Sequence, residues 1–72
     1  LKNTRLINGR VKKGFTQEEL AKMLGDTKAA VSNEENGVSV SRVKDAFILS
    51  KILEEDVDYL FYSRRIIFSS NT

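Results

Sequence analysis

Cysteine, histidine and proline are all absent from this chain. Without Cys and His there is no thiol nucleophile, no imidazole base and none of the ordinary zinc-ligand set. Carboxylates, Lys, Tyr and Ser/Thr are left for any chemistry. The acidic run Glu54, Glu55, Asp56 and Asp58 has no nucleophile, base pairing or phosphate loop beside it, and reads as solvated face and helix cap. The composition points away from an enzyme, from a cofactor, from metal and from a small-molecule substrate. Long apolar runs are missing too. No stretch approaches the roughly 18 residues that span a bilayer, and the opening LKNTRLINGRVKK lacks the apolar core of a signal peptide. The expectation is a cytoplasmic protein without membrane contact.

What is present suits one small helical domain. Seventy-two residues with 40% hydrophobic content support a single core. Without disulfides or metal, such a chain gains its stability from efficient packing, and helices joined by short turns are the usual solution. The net charge is only +2, so position matters more than excess. Arg5, Arg10, Lys12, Lys13, Lys22 and Lys28 crowd the first half, whereas the acidic run lies in the second. The basic half is the side for an anionic partner; the plain alternative is a set of solvated helix faces.

Glycines divide the chain. A first helix is predicted over about Thr4 to Lys13, with Leu6, Ile7 and Val11 inward and Gly14 at its end. Gly9 falls mid-helix, where it costs about 1 kcal/mol relative to Ala. Thr16-Gln17-Glu18-Glu19 forms a capping box: the Thr16 hydroxyl accepts from the Glu19 amide while the Glu19 carboxylate accepts from the Thr16 amide. The second helix carries Leu20, Ala21 and Leu24 on one face and stops at Gly25. Thr27 is placed to cap a third helix over about Lys28 to Glu35, with Val31 buried and Asn36-Gly37 as the break. A fourth begins near Ser41, with Val43, Ala46, Phe47, Leu49, Ile52 and Leu53 forming a wide apolar face. Asp56 can cap a short fifth helix whose Tyr59, Leu60 and Phe61 fold back onto that face. The reading is an all-α domain over 1–62. After it comes an arm over 63–72, in which Ile66, Ile67 and Phe68 suggest a strand.

Two short helices joined by a glycine-containing turn, the first opened by TQEEL and the second closed by ENG, make a helix-turn-helix layout. The run FTQEELAKMLGDTKAAVSNEENG, followed by a hydrophobic helix and DVDYLF, resembles the Cro and C1-type (XRE) repressor family over about Leu6 to Phe61. Gln17, Leu20-Ala21, Gly25, Val31 and Glu35-Asn36-Gly37 carry the likeness. It implies a compact five-helix bundle of the lambda-repressor-like kind. It also implies a sequence-specific regulator of a phage or prophage lysogeny switch in a bacterial host cell, with double-stranded operator DNA as partner.

In that family the third helix enters the major groove. Carried over, the base-contacting residues are Lys28, Ala29, Ser32 and Asn33, and the phosphate contacts are Arg10, Gln17, Thr27 and Asn36. The resemblance further implies an ion pair between Arg10 and Glu35 that ties the first helix to the third.

Two positions depart from the pattern. Asp26, after the turn glycine, and Glu34, beside Glu35, stand where the family is ordinarily apolar. Each carboxylate either reaches solvent or costs stability, and Glu34 repels phosphate. A second reading therefore stands beside the first: an antirepressor or co-repressor on the same fold that binds a phage repressor protein, with weak or no DNA binding of its own. In either case Ile66, Ile67 and Phe68 are the candidate contact for a homodimer or partner, unless the tail wraps its own domain.

Overall fold

The computed structural model describes residues 1–39 and 41–62. Four α-helices, α1 (Thr4–Lys12), α2 (Gln17–Leu24), α3 (Lys28–Glu35) and α4 (Val43–Leu53), are followed by a π-helical turn at Asp58–Tyr62. No strand occurs among the described residues. The all-helical bundle with its helix-turn-helix is as the sequence indicates, whereas the arm over 63–72, with Ile66, Ile67 and Phe68, lies outside the described residues.

Side-chain caps set where three helices begin. Asn3, which the sequence reading passed over, accepts the Leu6 amide at 3.0 Å and starts α1. The Thr16 box is complete: Glu19 N donates to Thr16 Oγ1 at 3.0 Å, and Thr16 N donates to Glu19 Oε1 at 2.8 Å. Thr27 Oγ1 accepts from Ala30 N at 3.1 Å to open α3. Gly25 ends α2 in the left-handed conformation with φ 71°, a cheap state for a residue without Cβ. The turn at Asp26 keeps its carboxylate in solvent, where Oδ1 accepts from the amide of Thr27 at 2.8 Å.

Leu6, Leu20, Ala21, Val31, Leu49, Leu53 and Leu60 form the core, with Phe15, Leu24, Ile52 and Phe61 packed against it. Gly9 has a structural reason: it is buried against Leu53, whose Cδ1 lies 3.3 Å from where a Cβ on residue 9 would stand. α1 and α4 meet at that point.

Three expected core residues are exposed instead. Val11 is 60% exposed because α1 buries the stripe through Leu6 and Gly9, and position 11 lies more than a quarter turn away from it. Val43 and Phe47, at 70% and 59%, lie opposite the buried side of α4, which runs through Asp45, Ala46, Leu49 and Leu53. In the closing turn Leu60 alone is fully buried, while Tyr59 is exposed and covered on its ring face by Arg5, whose guanidinium carbon sits 4.6 Å from the centroid.

Candidate nucleic-acid interface

The sequence of α3, KAAVSNEE, leaves one apolar side chain to bury, and Val31 takes that role on the core side with Glu35 one turn later. Ala29 and Asn33, at spacings of one and five from Lys28, then lie on the side away from the buried pair, with Ser32 at its margin and Lys28 at the open N-terminal end of the helix. Lys28, Ala29 and Asn33 are exposed there and Ser32 is half-buried. The Ser32 hydroxyl accepts from Asn36 Nδ2 at 3.3 Å, so the helix-ending Asn36 is held over the last turn.

Lys28 also lines an open cleft shared with Arg10, Gly14, Phe15, Thr16, Gln17 and Glu18. At the mouth of this cleft the N terminus of α2 leaves the amides of Gln17 and Glu18 without intrahelical acceptors, since the first amides of any helix lack them. Such an end presents partial positive charge.

Glu35 is the hub behind this surface. It is 2% exposed, and its carboxylate accepts from Arg10 Nε at 2.6 Å, Arg10 Nη2 at 3.2 Å and Gln17 Nε2 at 3.0 Å. Arg10 Nη1 meanwhile donates to the Phe15 carbonyl at 2.9 Å. One carboxylate thus joins α1, α2 and α3. Three of the roughly five N–H donors of Arg10 are taken inside the protein, and its side chain is only 15% exposed. Arg10 sets the orientation of α3 first and has little of its guanidinium left for an outside anion. The Gln17 bond to Glu35 was missed in the sequence, where Gln17 read only as a surface contact.

Glu34 turns the other way, towards α4. It is half-buried and accepts from Ser41 Oγ at 2.5 Å. Burial pushes its carboxyl above the usual range, and the nearby Asp45, Asp26 and Glu35 charges push in the same direction against the Ser41 hydrogen bond. Its departure from an apolar pattern is thus accommodated by a hydroxyl, with a residual electrostatic cost.

The family model described as helix-turn-helix matches residues 6–60, most of the chain. This protein belongs to the Cro/C1-type (XRE) helix-turn-helix family. No curated protein and no solved structure matches it. As a Cro/C1-type protein it is a DNA-binding transcription regulator, of a family that binds double-stranded DNA and is not typically enzymatic. No helix among its described residues is long and apolar enough to cross a membrane.

Proposed function

We propose that this Cro/C1-type protein is a sequence-specific, operator-binding regulator of a phage or prophage lysogeny switch, with α3 inserted in the major groove. The observation that carries the reading is the exposed row Lys28, Ala29 and Asn33, with Ser32 beside them, next to the cleft where Lys28 meets the N terminus of α2. Lys28 donates to guanine or to phosphate, Asn33 reads an adenine edge, and Ala29 offers a methyl contact to thymine. Thr27, Gln17 and Asn36 lie towards the flanking phosphates, with the Gln17 and Glu18 amides as donors. The likeness to phage repressors and Cro proteins supports the lysogeny setting. A two-fold operator would place half-sites about one helical turn apart under a homodimer.

One observation favours the second reading, a modulator that binds a partner repressor. Val43 and Phe47 expose apolar surface on α4, one turn apart, while Asp26 and Glu34 put negative charge beside the reading helix.

Fluorescence anisotropy of labelled operator DNA at two salt concentrations, with and without the neighbouring repressor, separates the two. Binding by the protein alone is expected to weaken steeply with salt. Asn33→Ala should cost about 1–3 kcal/mol on the preferred sequence only, and Lys28→Ala should lower the salt slope by about one if Lys28 contacts phosphate. Binding that occurs only with the repressor present would overturn autonomous recognition in favour of the modulator.

A further inference from the structure

The dipeptide Asn-Gly occurs twice in the chain, at Asn8–Gly9 and at Asn36–Gly37. It is reactive for a steric reason: glycine has no Cβ to hinder the approach of its own amide nitrogen to the side-chain amide before it. Both asparagines are exposed, yet the two pairs sit in opposite surroundings.

Asn8–Gly9 lies inside α1, where the α-helical pattern commits the Gly9 amide to the carbonyl four residues back. Gly9 is also buried against Leu53, so its nitrogen is released only when α1 parts from α4. Asn36–Gly37 instead ends α3, and Gly37 is exposed as well. One long bond holds the Asn36 side chain, Nδ2 to Ser32 Oγ at 3.3 Å, and another holds the Gly37 amide, to the Glu34 carbonyl at 3.2 Å. Bringing that amide to the side chain requires Asn36 to turn away from its ψ of −1° and the Val38 amide to release the Asn33 carbonyl, while the earlier turn of α3 stays packed. Helix ends open at far lower cost than packed interiors. The glycine itself is required here, because Gly37 has φ 77° and a Cβ on it would collide with the Leu1 carbonyl.

We infer that Asn36 is a self-modification site, at which the folded protein converts the end of its third helix from amide to carboxylate with time. The deprotonated Gly37 nitrogen attacks Asn36 Cγ, the Cγ–Nδ2 bond breaks, and the side-chain nitrogen leaves as ammonia with the proton that Gly37 gave up. The product is a five-membered succinimide. Water adds to either of its carbonyls and opens the ring. One opening gives aspartate, and the other gives isoaspartate, in which the main chain runs through the former side-chain carbon. Water is the one co-reactant, and no electron changes hands.

The change falls at a sensitive place. The donor to Ser32 is lost, since a carboxylate only accepts. A new negative charge joins Glu34 and Glu35 at the C terminus of α3, the end of a helix where negative charge is disfavoured. Isoaspartate also adds one backbone carbon between α3 and the loop to α4. With residue 36 beside a phosphate, an aged molecule binds its operator more weakly than a new one. That last consequence rests on the DNA-binding reading. The test below contains no DNA, so its failure bears on the modification alone.

The full chain is incubated in warm, mildly alkaline buffer with and without urea, then cut with trypsin and followed by mass spectrometry. Cleavage after Arg5, Arg10, Lys28 and Arg42 puts Asn8 in the peptide Leu6–Arg10 and Asn36 in the peptide Ala29–Arg42. In urea both peptides should gain the one-dalton increment of deamidation at comparable rates. In the folded chain Ala29–Arg42 should gain it at least about tenfold faster than Leu6–Arg10, with fragmentation locating it at Asn36 and isoaspartate as the larger product. Equal rates in the folded chain would overturn the proposal, as would no gain at Asn36 after an incubation that converts the urea sample many times over. Asn36→Gln should abolish the increment, because the larger ring closes far more slowly. An increment that survives this substitution undiminished belongs to Asn33 and would also overturn it.

Discussion

Glu35 Oε2 accepts from Arg10 Nε at 2.6 Å in a setting where the carboxylate is almost wholly out of water. Removing one partner of such a pair strands the other charge in a poorly solvated place, which is costlier than losing the pair as a whole. Glu35→Ala is therefore expected to cost about 3 kcal/mol in urea unfolding. The double change Arg10→Met with Glu35→Leu should recover a large part of that loss. If the double variant is as unstable as the sum of the singles, the pair is not coupled in the way its geometry implies.

Gly9 tests how closely α1 and α4 are packed. Alanine on a helix interior ordinarily gains about 1 kcal/mol over glycine. Here the new methyl would press on Leu53 Cδ1 at 3.3 Å, so Gly9→Ala should gain less than about half of that value. In a Leu53→Ala background the full gain should return. The double-mutant cycle, read by chemical denaturation, should show a coupling of at least about 0.5 kcal/mol, and strict additivity would count against the contact.

The cap of α3 affects both stability and recognition. Thr27→Ala removes the acceptor for Ala30 N and is expected to cost about 1 kcal/mol, while Thr27→Ser should be nearly neutral. Asp26 cannot take over, because its carboxylate already accepts from the next amide along the chain, that of Thr27. Hydrogen exchange at the Ala30 amide should accelerate in the alanine variant and not in the serine one.

Acid titration should reveal two carboxylates of opposite sign. Glu34 has a folded value raised by burial above its ordinary 4.5, so the native chain binds that proton more tightly than the unfolded chain. Its penalty is present at neutral pH and is relieved as pH falls through the folded value towards 4.5. Glu54 is lowered by the hydrogen bond from Lys13 and then by that residue's charge. Its contribution is present above 4.5 and lost as pH falls through the folded value. Any advantage of Glu34→Gln over wild type should be largest near neutrality and shrink on acidification. Any deficit of Lys13→Met should also shrink on acidification, at lower pH. Unfolding midpoints measured from pH 7 to about 3 would check both; curves parallel to wild type would contradict the assignment.

The caps and breaks were legible because their chemistry is local. TQEE, Thr27 and the turn glycines act on amides within a few residues, and the helices begin and end where those residues say. Burial was less legible. The buried positions include Gly9, Glu35 and Asp45 on the helices and Ser41 just before α4, none of them apolar side chains, and omit Val11, Val43 and Phe47, which hydropathy marks as core. An apolar pattern locates a face only to within its width, and tertiary packing chooses the edge. For the interface, the pairing of Arg10 with Glu35 came from family likeness, while the parts played by Gln17 and Ser41 depend on side chains reaching across helices.

Asn3 ties the start of the chain to places far along it: its amide donates to the Glu35 carbonyl at 2.8 Å and its Nδ2 to the Leu60 carbonyl at 2.9 Å, across 57 positions. Closing a loop of that length is entropically expensive until the intervening helices have assembled. The two bonds therefore belong to the last stage of folding. Removing the side-chain bond to Leu60, as in Asn3→Ser, which keeps the backbone amide and a capping oxygen, should leave the refolding rate nearly unchanged and appear almost entirely as faster unfolding, which makes this short latch the setting for how long a folded molecule survives between openings.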